Sequence, residues 1–281
     1  MSPVVSALRR YPVKSCRGED LVTATVEPWG LAGDRRWMIV DQNGAFVTAR
    51  EIPAMLLIEP ELTSDGIRLA AAGMPELAVA APTAPLVPIR VWRSRLDAAD
   101  AGEAAAAWLS SALGRALRLV HLDDPSRRRT NPAFSAPEDR VSFADGYPLL
   151  LTTTGSLDAL DAWIAEGPRA HEGPIPMVRF RPNVVVQGSA AWEEDGWRRI
   201  RIGDAVFRAV KGCDRCVITT TDADTAARGK EPIATLARHR RFDGAVWFGM
   251  NLVPDTPGAV IAVGDDVEIL EAEPAPDGPP R

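Results

Sequence analysis

The chain of 281 residues is 46% hydrophobic and 25% charged, the composition of a soluble globular protein with room for one large or two ordinary domains. No apolar run approaches the roughly 20 residues of a membrane helix, and the first residues form neither a secretory signal nor a transit peptide, so we expect a cytoplasmic protein with no membrane partner. The formal net charge of -6 provides no global basic surface for nucleic acid, and we therefore expect a small-molecule partner.

The first part of the chain, to about residue 122, is predicted to be mostly β-strand. Its apolar segments are short, β-branched or alternating, and turn residues separate them, as in LVTATVEPWG and LVPIRVW. The segment WMIVDQNGAFVTA is predicted to form a β-hairpin, because Asn43 and Gly44 supply the positive φ angles that a tight turn needs. One helix is predicted in DAGEAAAAWLSSALG, with Asp100 as its cap and Gly114 at its end.

A polar stretch, LDDPSRRRTNPAFSAPEDRVSF, follows and has too little apolar content to belong to a core. We predict the domain boundary here, between residues 122 and 123. Arg127, Arg128 and Arg129 could bind an anion, but three adjacent arginines more often lie in a solvated loop, which is the interpretation that we favour.

The rest of the chain is predicted to alternate strands with two short helices. The helices are expected in GSLDALDAWIAEG and in KEPIATLARHRR, where Pro232 starts the second one. The strands are expected in PLLLTTT, RFRPNVVVQG, WRRIRIGDAVFRAV, CVITTTD, AVWFGMNLVP and AVIAVGDDVEIL. The Pro-rich residues 274–281 should form a disordered tail. The predicted fold class is α+β, mostly antiparallel β, with a β-barrel-like first domain and a second barrel.

Two of the three cysteines, Cys213 and Cys216, form a C-x-x-C pair in KGCDRCVITTTDADT. Three cysteines in so long a chain do not suggest a disulfide framework. A structural zinc ion needs four ligands, and the remaining candidates, Cys16 and three histidines, are isolated in the sequence. A redox disulfide of the thioredoxin type should open a helix, whereas the VITTT segment that follows is strand-forming, which weakens that interpretation.

Two alternatives remain for the pair: buried thiols that only fill space, which is the commonest fate of an intracellular cysteine, or a functional thiolate. Cys213 fits the first, and in an extended segment its side chain would point to the face opposite that of Cys216. Lys211, Asp214 and Arg215 lie beside Cys216, and local positive charge favours a thiolate and a bound anion. We therefore interpret Cys216 as the functional thiol.

Three other segments carry polar residues of the same kind. YPVKSCRG places Lys14 and Ser15 on a predicted loop, AGDRRW adds Arg35, and RFRPN adds Arg181 and Asn183. Each signal alone is weak, because a basic residue that flanks a strand is usually solvated. If these residues converged on one thiolate, they would form a phosphate pocket beside a soft-metal ligand, rather than a pocket of the pyridoxal phosphate type.

Taken in order, these segments resemble the MOSC family, most closely the branch that contains the mitochondrial amidoxime reducing component and its bacterial relatives. The motifs that carry the resemblance are YPVKSCRG, GDRRWMIVDQNG, FVTAR, FRPNVVV, CDRCVITTTDADT, FGMNL and VGDDVEIL. They span nearly the whole chain. The resemblance implies a MOSC N-terminal β-barrel domain over residues 1–122 and a MOSC domain over residues 123–273.

The resemblance also implies a molybdenum cofactor of the molybdopterin type. The second cysteine of the C-x-R-C motif binds molybdenum in that family, which makes Cys216 the expected metal ligand. Asp222 matches an acidic position near the metal, and together with Cys216 it is a candidate catalytic residue. Because the candidate ligands come from both parts of the chain, we expect the pocket between them. The candidate cofactor-binding residues are Lys14, Ser15, Arg35, Gly146, Tyr147, Arg181, Asn183, Asp214, Arg215 and Asn251.

Relatives in this branch reduce amidoximes, hydroxylamines and N-hydroxylated bases, so the resemblance implies a reductase of small N-oxygenated substrates. The sequence carries neither the membrane anchor of the mitochondrial members nor a Cys-rich iron-sulfur domain after Leu270. We therefore expect electrons from a separate donor protein of the flavin, cytochrome or iron-sulfur type. Two alternatives stay open: a carrier that holds molybdenum cofactor or sulfur on Cys216, and a non-catalytic domain whose thiols only fill its core.

Overall fold

The computed structural model describes residues 2–274, so all but the first residue of the predicted tail, 274–281, lies outside the described residues. This part of the chain is mostly β, with three α-helices, which confirms the predicted α+β class. Within residues 2–274, no helix has the length and apolar content to cross a membrane.

The nineteen strands of residues 2–274 are short, as their β-branched and alternating segments predict. In chain order they are β1 (Val4–Arg10), β2 (Glu19–Leu21), β3 (Thr23–Glu27), β4 (Gly30–Leu31), β5 (Trp37–Val40), β6 (Glu59–Leu62), β7 (Gly66–Ala70), β8 (Leu77–Ala80), β9 (Leu86–Val91), β10 (Ser94–Asp100), β11 (Arg118–His121), β12 (Leu149–Thr153), β13 (Val184–Gln187), β14 (Trp197–Ile202), β15 (Ala205–Asp214), β16 (Arg241–Phe242), β17 (Ala245–Pro254), β18 (Val260–Ala262) and β19 (Val267–Ala272). The helices are α1 (Gly102–Leu113), α2 (Thr154–Ala165) and α3 (Ile233–His239).

The largest sheet has nine strands in the order β19-β14-β15-β17-β12-β13-β1-β2, with β16 paired to β17. Its neighbours are antiparallel apart from β12 and β13, which are parallel. Strands β1 and β2 therefore complete a sheet whose other members follow residue 122. Strand β18 likewise joins β3 and β4 in a three-stranded sheet. The boundary between residues 122 and 123 stays a prediction, and strand pairing crosses it.

The remaining strands of the first part form two smaller sheets, β5-β11-β10-β9 and β6-β7-β8. Helix α1 packs its buried face, with Trp108 and Leu109, into the core that these sheets share. Its predicted stop is confirmed, because Gly114 has a left-handed φ of 65°. Its start differs in detail: the Asp100 carboxylate accepts a hydrogen bond from Gly102 N at 2.7 Å, while Ala101 holds the cap position.

The hairpin predicted at Asn43-Gly44 is confirmed in its turn only. Gly44 has a φ of 72°, and the Asp41 carboxylate accepts hydrogen bonds from the amides of Asn43 and Ala45 at 2.9 Å each. The second arm forms only isolated bridges, among them Val40 with Phe46, instead of a continuous strand.

The strand predicted in CVITTTD is wrong, since Val217–Thr220 forms a turn of 3₁₀-helix. The reason is local hydrogen bonding: Thr219 Oγ1 donates to Cys216 O at 3.0 Å and Thr220 Oγ1 to Val217 O at 2.8 Å. Threonine hydroxyls that bond the preceding turn compete with an extended ladder, so a strand-forming composition is overridden here. Likewise, RFRPN is not a strand: Met177–Phe180 is a 3₁₀ turn, and β13 begins only at Val184.

Candidate functional site

An open cavity of about 610 Å³ lies between the two parts of the chain. Its wall contains every predicted site residue except Asp222, so the structure brings together residues that are up to 237 positions apart (Lys14 and Asn251). The predicted residues that line it are Lys14, Ser15, Arg35, Gly146, Tyr147, Arg181, Asn183, Asp214, Arg215, Cys216 and Asn251.

The cavity wall is strongly basic although the chain as a whole carries a formal charge of -6. Its two acidic residues are Asp145 and Asp214, against seven basic ones: Lys14, Arg35, Arg50, Arg93, Arg181, Lys211 and Arg215. A concave surface lined by one sign of charge raises the local concentration of the opposite ion. The cavity is therefore suited to an anionic ligand.

Lys14 enters the cavity wall from the loop that follows β1. The backbone amide of Lys14 donates to Trp37 O at 2.8 Å, which ties the loop to β5. The buried Lys14 ammonium donates to Phe143 O at 2.8 Å and pairs with the Asp145 carboxylate. Burial lowers the pKa of Lys14 to about 8, although Asp145 opposes the shift. Ser15, beside it, is buried with a left-handed φ of 69°.

Arg35 and Arg181 lie near each other against one aromatic ring. Their guanidinium carbons are 4.4 Å and 4.2 Å from the centre of the Tyr11 ring, and Arg35 Nη1 also pairs with Asp34 at 2.6 Å. Burial lowers the pKa of Arg181 to about 10. Arg181 Nη2 is buried and has no hydrogen-bond partner among residues 2–274. Two cations held this close gain from a bound anion.

Asn183 is 1% exposed and all four hydrogen-bonding positions of its amide are filled by the protein. Its nitrogen donates to Arg9 O and to the Asp34 carboxylate at 3.1 Å each, and its oxygen accepts from Leu150 N at 3.2 Å and Arg35 Nη1 at 3.1 Å. Asn183 thus lies in the cavity wall mainly as the residue that positions Arg35.

Cys216 lies at the start of the 3₁₀ turn, where its half-buried sulfur faces a guanidinium. Arg50 Nε donates to Cys216 Sγ at 3.1 Å, and Arg50 Nη2 donates to Asp145 at 3.0 Å. Asp145 also accepts from Trp92 Nε1 at 3.2 Å. Burial would raise the pKa of Asp145, but Lys14 and Arg50 outweigh it and hold that pKa well below its usual range. Asp145 therefore stays charged and links Lys14 to Arg50.

Cys213 lines the same cavity as Cys216, so the expectation that the two thiols point to opposite faces is wrong. Strand β15 has irregular register against β17 between Gly212 and Asp214, and it ends at Asp214. Strict alternation of side chains therefore fails before Cys216 is reached. Cys213 Sγ accepts a hydrogen bond from Arg215 Nη1 at 2.8 Å, and burial raises the pKa of this thiol although Arg215 opposes the shift.

Asp222 lies outside the cavity wall, in the loop beyond the 3₁₀ turn. Its Oδ1 accepts from Asp224 N at 3.1 Å and from the amide and hydroxyl of Thr225 at 2.9 Å each, and its Oδ2 accepts from Arg179 at 3.3 Å. These bonds close the loop on itself. The catalytic role of Asp222 stays a prediction. In this geometry its carboxylate holds the loop of residues 222–225 in place.

Three wall residues near Cys216 and one supporting arginine were not predicted from the sequence. Arg50, Trp92 and Asp145 form the network around Cys216, and Arg128 holds the loop that carries Asp145. The solvated-loop prediction for Arg128 is wrong: it is 4% exposed and donates to Ser142 O, to Ala144 O at 2.5 Å and to Asp145 O at 2.9 Å. The ADGYP motif, which contains Asp145, was the available signal.

The donor set around Cys216 limits what could bind there. Among residues 2–274, no three His, Cys, Asp or Glu side chains lie close enough to hold a metal between them. A metal at Cys216 would therefore need ligands other than a cluster of these side chains. Besides Arg181 Nη2, two further buried polar atoms of the wall have no partner in this part of the chain, Tyr147 Oη and Arg215 Nε. A side chain at Gly146 would project into open space, so glycine leaves room there.

Comparison with known proteins gives matches along nearly all of the chain. The MOSC N-terminal beta barrel domain matches residues 2–116 and the MOSC domain matches residues 138–268. The chain is 34% identical to mitochondrial amidoxime-reducing component 1 of Homo sapiens, over 95% of this chain and 82% of that protein. It is 29% identical to molybdenum cofactor sulfurase of Oryza sativa subsp. japonica, over 86% of this chain and 31% of that protein. The YUAD protein from Bacillus subtilis, a solved structure, has a TM-score of 0.45 and 13% identity over 95% of each chain.

Proposed function

The chain belongs to the MOSC family, and we propose that it is a molybdenum-cofactor-dependent reductase of N-hydroxylated compounds. The observation that carries the proposal is the free thiol of Cys216 in the wall of a cavity with seven basic residues. A thiolate is a soft ligand that suits molybdenum, and lysine and arginine suit a phosphate group. The similarity to an amidoxime-reducing component supports the reaction type.

The residues of the cavity fit a molybdopterin-type cofactor. Cys216 would bind the metal, while Lys14 and Arg181 would bind the phosphate, since Arg181 Nη2 lacks a partner among residues 2–274. Tyr147 offers a buried hydroxyl. Arg35, in the same wall, offers a guanidinium that lies over the Tyr11 ring. When bound, the cofactor supplies two-electron redox chemistry, and the protein supplies its position and the surrounding charge.

The proposed reaction breaks the N–O bond of an amidoxime, hydroxylamine or N-hydroxylated base. An amidoxime takes up two electrons and two protons and yields an amidine and one water molecule. The chain's own contribution is to orient the N–OH group toward Cys216 and to keep the basic wall around it. The electrons come from outside the cavity wall, and we propose a separate donor protein of the flavin, cytochrome or iron-sulfur type.

The test is turnover by the loaded protein. We would express it in a host that makes molybdenum cofactor, measure molybdenum and pterin in the purified protein, and supply electrons from a reduced viologen dye. Benzamidine should form from benzamidoxime, in proportion to the molybdenum content. The proposal is wrong if protein with a full complement of molybdenum and pterin forms no benzamidine.

A second candidate function is a carrier that holds molybdenum cofactor or sulfur on Cys216. The similarity to a molybdenum cofactor sulfurase supports it, although this chain spans only 31% of that protein. A carrier would bind and release the cofactor without reducing benzamidoxime. The turnover measurement therefore separates the two functions, and metal analysis separates both from a domain whose thiols only fill space.

A further inference from the structure

The turn that joins β9 to β10 reaches the rim of the cavity. Val91 pairs with Ser94, so Trp92 and Arg93 form a two-residue hairpin turn, and both line the cavity. Asn, Asp and Gly are the usual residues of such turns, because they tolerate a positive φ. Here Trp92 occupies a left-handed position with a φ of 52°. A bulky residue in this conformation points to a use other than forming the turn.

Trp92 is held in a fixed orientation while much of its ring stays exposed. Its indole N–H donates to Asp145 at 3.2 Å, its ring lies 4.7 Å from the Arg50 guanidinium, and the Phe46 ring is 5.0 Å away. Even so, 43% of the residue is exposed. Through Asp145 and Arg50, three successive hydrogen bonds connect the indole to the sulfur of Cys216. A fixed, partly exposed aromatic face beside the reacting centre is a surface on which a planar ring can stack.

Arg93 differs from the other cations of the cavity wall in having no partner. Lys14 and Arg50 share Asp145, Arg35 pairs with Asp34, and Lys211 pairs with Asp214. The two remaining cations have contacts of another kind: Arg181 lies over the Tyr11 ring, and Arg215 donates to Phe180 O. The exposed Arg93 guanidinium makes no hydrogen bond or ion pair with any residue of 2–274. It is available to a ligand that has entered the cavity.

We propose that Trp92 and Arg93 form a substrate subsite that favours planar N-oxygenated compounds with an anionic substituent such as a carboxylate. The ring of the substrate would stack on Trp92, and its carboxylate would accept hydrogen bonds from the Arg93 guanidinium. The inference rests on the proposed reductase function and adds the substrate class. The competing explanation is that Arg93 is an exposed arginine of a hairpin that is only solvated.

A matched pair of substrates tests this subsite. 4-Carboxybenzamidoxime and 4-carbamoylbenzamidoxime have nearly the same size and differ in charge. With the molybdenum-loaded protein, the carboxylate compound should have the lower KM, by about two- to fivefold, the range of an exposed ion pair. Arg93→Gln should abolish this difference. Arg95→Gln is the matched control, because Arg95 is an exposed arginine of the same hairpin that lies outside the cavity wall, and it should keep the difference.

Two results would overturn the subsite. One is equal KM values for the two compounds in the unchanged protein; the other is an equal loss of preference in Arg93→Gln and Arg95→Gln, which would indicate general electrostatics. Calorimetric Kd values of both compounds for the loaded protein separate this inference from the proposed function. Preferential binding of the carboxylate compound without turnover contradicts the reductase function and supports the subsite. Turnover of both compounds with equal KM and Kd values supports the reductase function and contradicts the subsite.

Discussion

The sulfur of Cys216 lies 3.1 Å from Arg50 Nε, and this pairing joins two parts of the chain that are 166 residues apart. If a metal is bound to this sulfur as proposed, the Arg50 N–H would act as an outer partner that tunes the metal. Asp145 fixes Arg50 in this position through its second nitrogen. The thiol is thus part of a hydrogen-bonded network and not an isolated side chain.

Replacement of the two cysteines should have unequal effects. Cys216→Ser should abolish benzamidoxime reduction, because a hydroxyl is a harder and far less acidic ligand than a thiol. Cys213→Ser should be milder, since a serine hydroxyl can still accept the hydrogen bond from Arg215. Turnover per bound molybdenum is the measurement. The assignment is reversed if Cys216→Ser keeps near-normal turnover while an equally folded, pterin-loaded Cys213→Ser loses it.

Arg50→Met should weaken the site without unfolding the protein. Methionine keeps an unbranched apolar side chain but removes the guanidinium, which lies over the Trp92 ring and donates hydrogen bonds to Cys216 and Asp145. Outer partners of metal ligands typically contribute about 10- to 100-fold to affinity or activity, and we expect a loss in this range. Molybdenum content and turnover are measured together. Arg115→Met, an exposed arginine paired with Glu51 outside the cavity wall, is the matched control and should change neither.

Short motifs predicted many residues of the cavity wall but not the contacts among them. Lys14, Arg35, Arg181 and Cys216 were predictable, because each lies in a polar segment whose residue types suit an anion or a metal. Arg50 was not, because nothing in FVTAR indicates that the chain will bring it to a sulfur 166 positions later. The buried Arg128 was missed for a related reason: its neighbours Arg127 and Arg129 are exposed, and a run of arginines is usually solvated.

Local composition predicted most strands and failed where side chains satisfy the backbone. The segments LVPIRVW and WRRIRIGDAVFRAV became β9, β14 and β15, because period-two burial is a local property, and the apolar run AVWFGMNLVP became β17. The segment VITTT has the same composition, yet its threonine hydroxyls bond the preceding carbonyls and produce a 3₁₀ turn. Cys216 caps the start of this turn. The feature that sequence propensity misjudged is therefore one that positions the candidate metal ligand.

Helix α2 begins at a buried carboxyl group whose protonation should affect stability. Thr153 caps the helix by accepting from Ser156 N at 3.2 Å, and the hydroxyls of both residues donate to Glu194 Oε2 at 3.2 Å and 2.9 Å. Glu194 is fully buried, and burial raises its pKa to about 7 from 4.5. The folded state therefore binds a proton that the unfolded state releases above pH 4.5.

The free energy of unfolding should fall as the pH rises from about 5 to 7, because in this window the unfolded protein binds fewer protons than the folded one at Glu194. The contribution is on the order of 3 kcal/mol at most, since one pKa unit corresponds to about 1.4 kcal/mol. Glu194→Gln should remove this part of the pH dependence in urea unfolding at pH 5 and pH 7.5. The control Glu193→Gln, at the adjacent exposed glutamate, should retain it; a similar change in both variants contradicts the assignment.

The order of strands in the large sheet shows that the two parts of the chain depend on each other. Strand β1 lies beside β13 although about 170 residues separate them, and pairing at this range leaves no trace in local composition. The fold class was therefore predictable from the segments, whereas the sheet order was not. The cavity lies where the two parts meet, so the same pairing that completes the sheet also brings Lys14 and Arg35 to the side of Cys216.

Residues 123–281 expressed alone should therefore fail to fold. Removing the first part exposes β13 as a sheet edge and deletes four fully buried side chains, Val5, Leu8, Val26 and Leu31, from the core of the large sheet. Each loss of such a side chain costs about 1–5 kcal/mol, so the four together are comparable to the roughly 5–15 kcal/mol that stabilise a typical domain, and the exposed sheet edge adds to the loss. We expect aggregation, or no cooperative transition in urea followed by tryptophan fluorescence. Co-expression with residues 1–122 should restore soluble protein as a complex of the two fragments. A fragment 123–281 that unfolds cooperatively on its own, at a urea concentration near that of the full chain, would show that the two parts are independent.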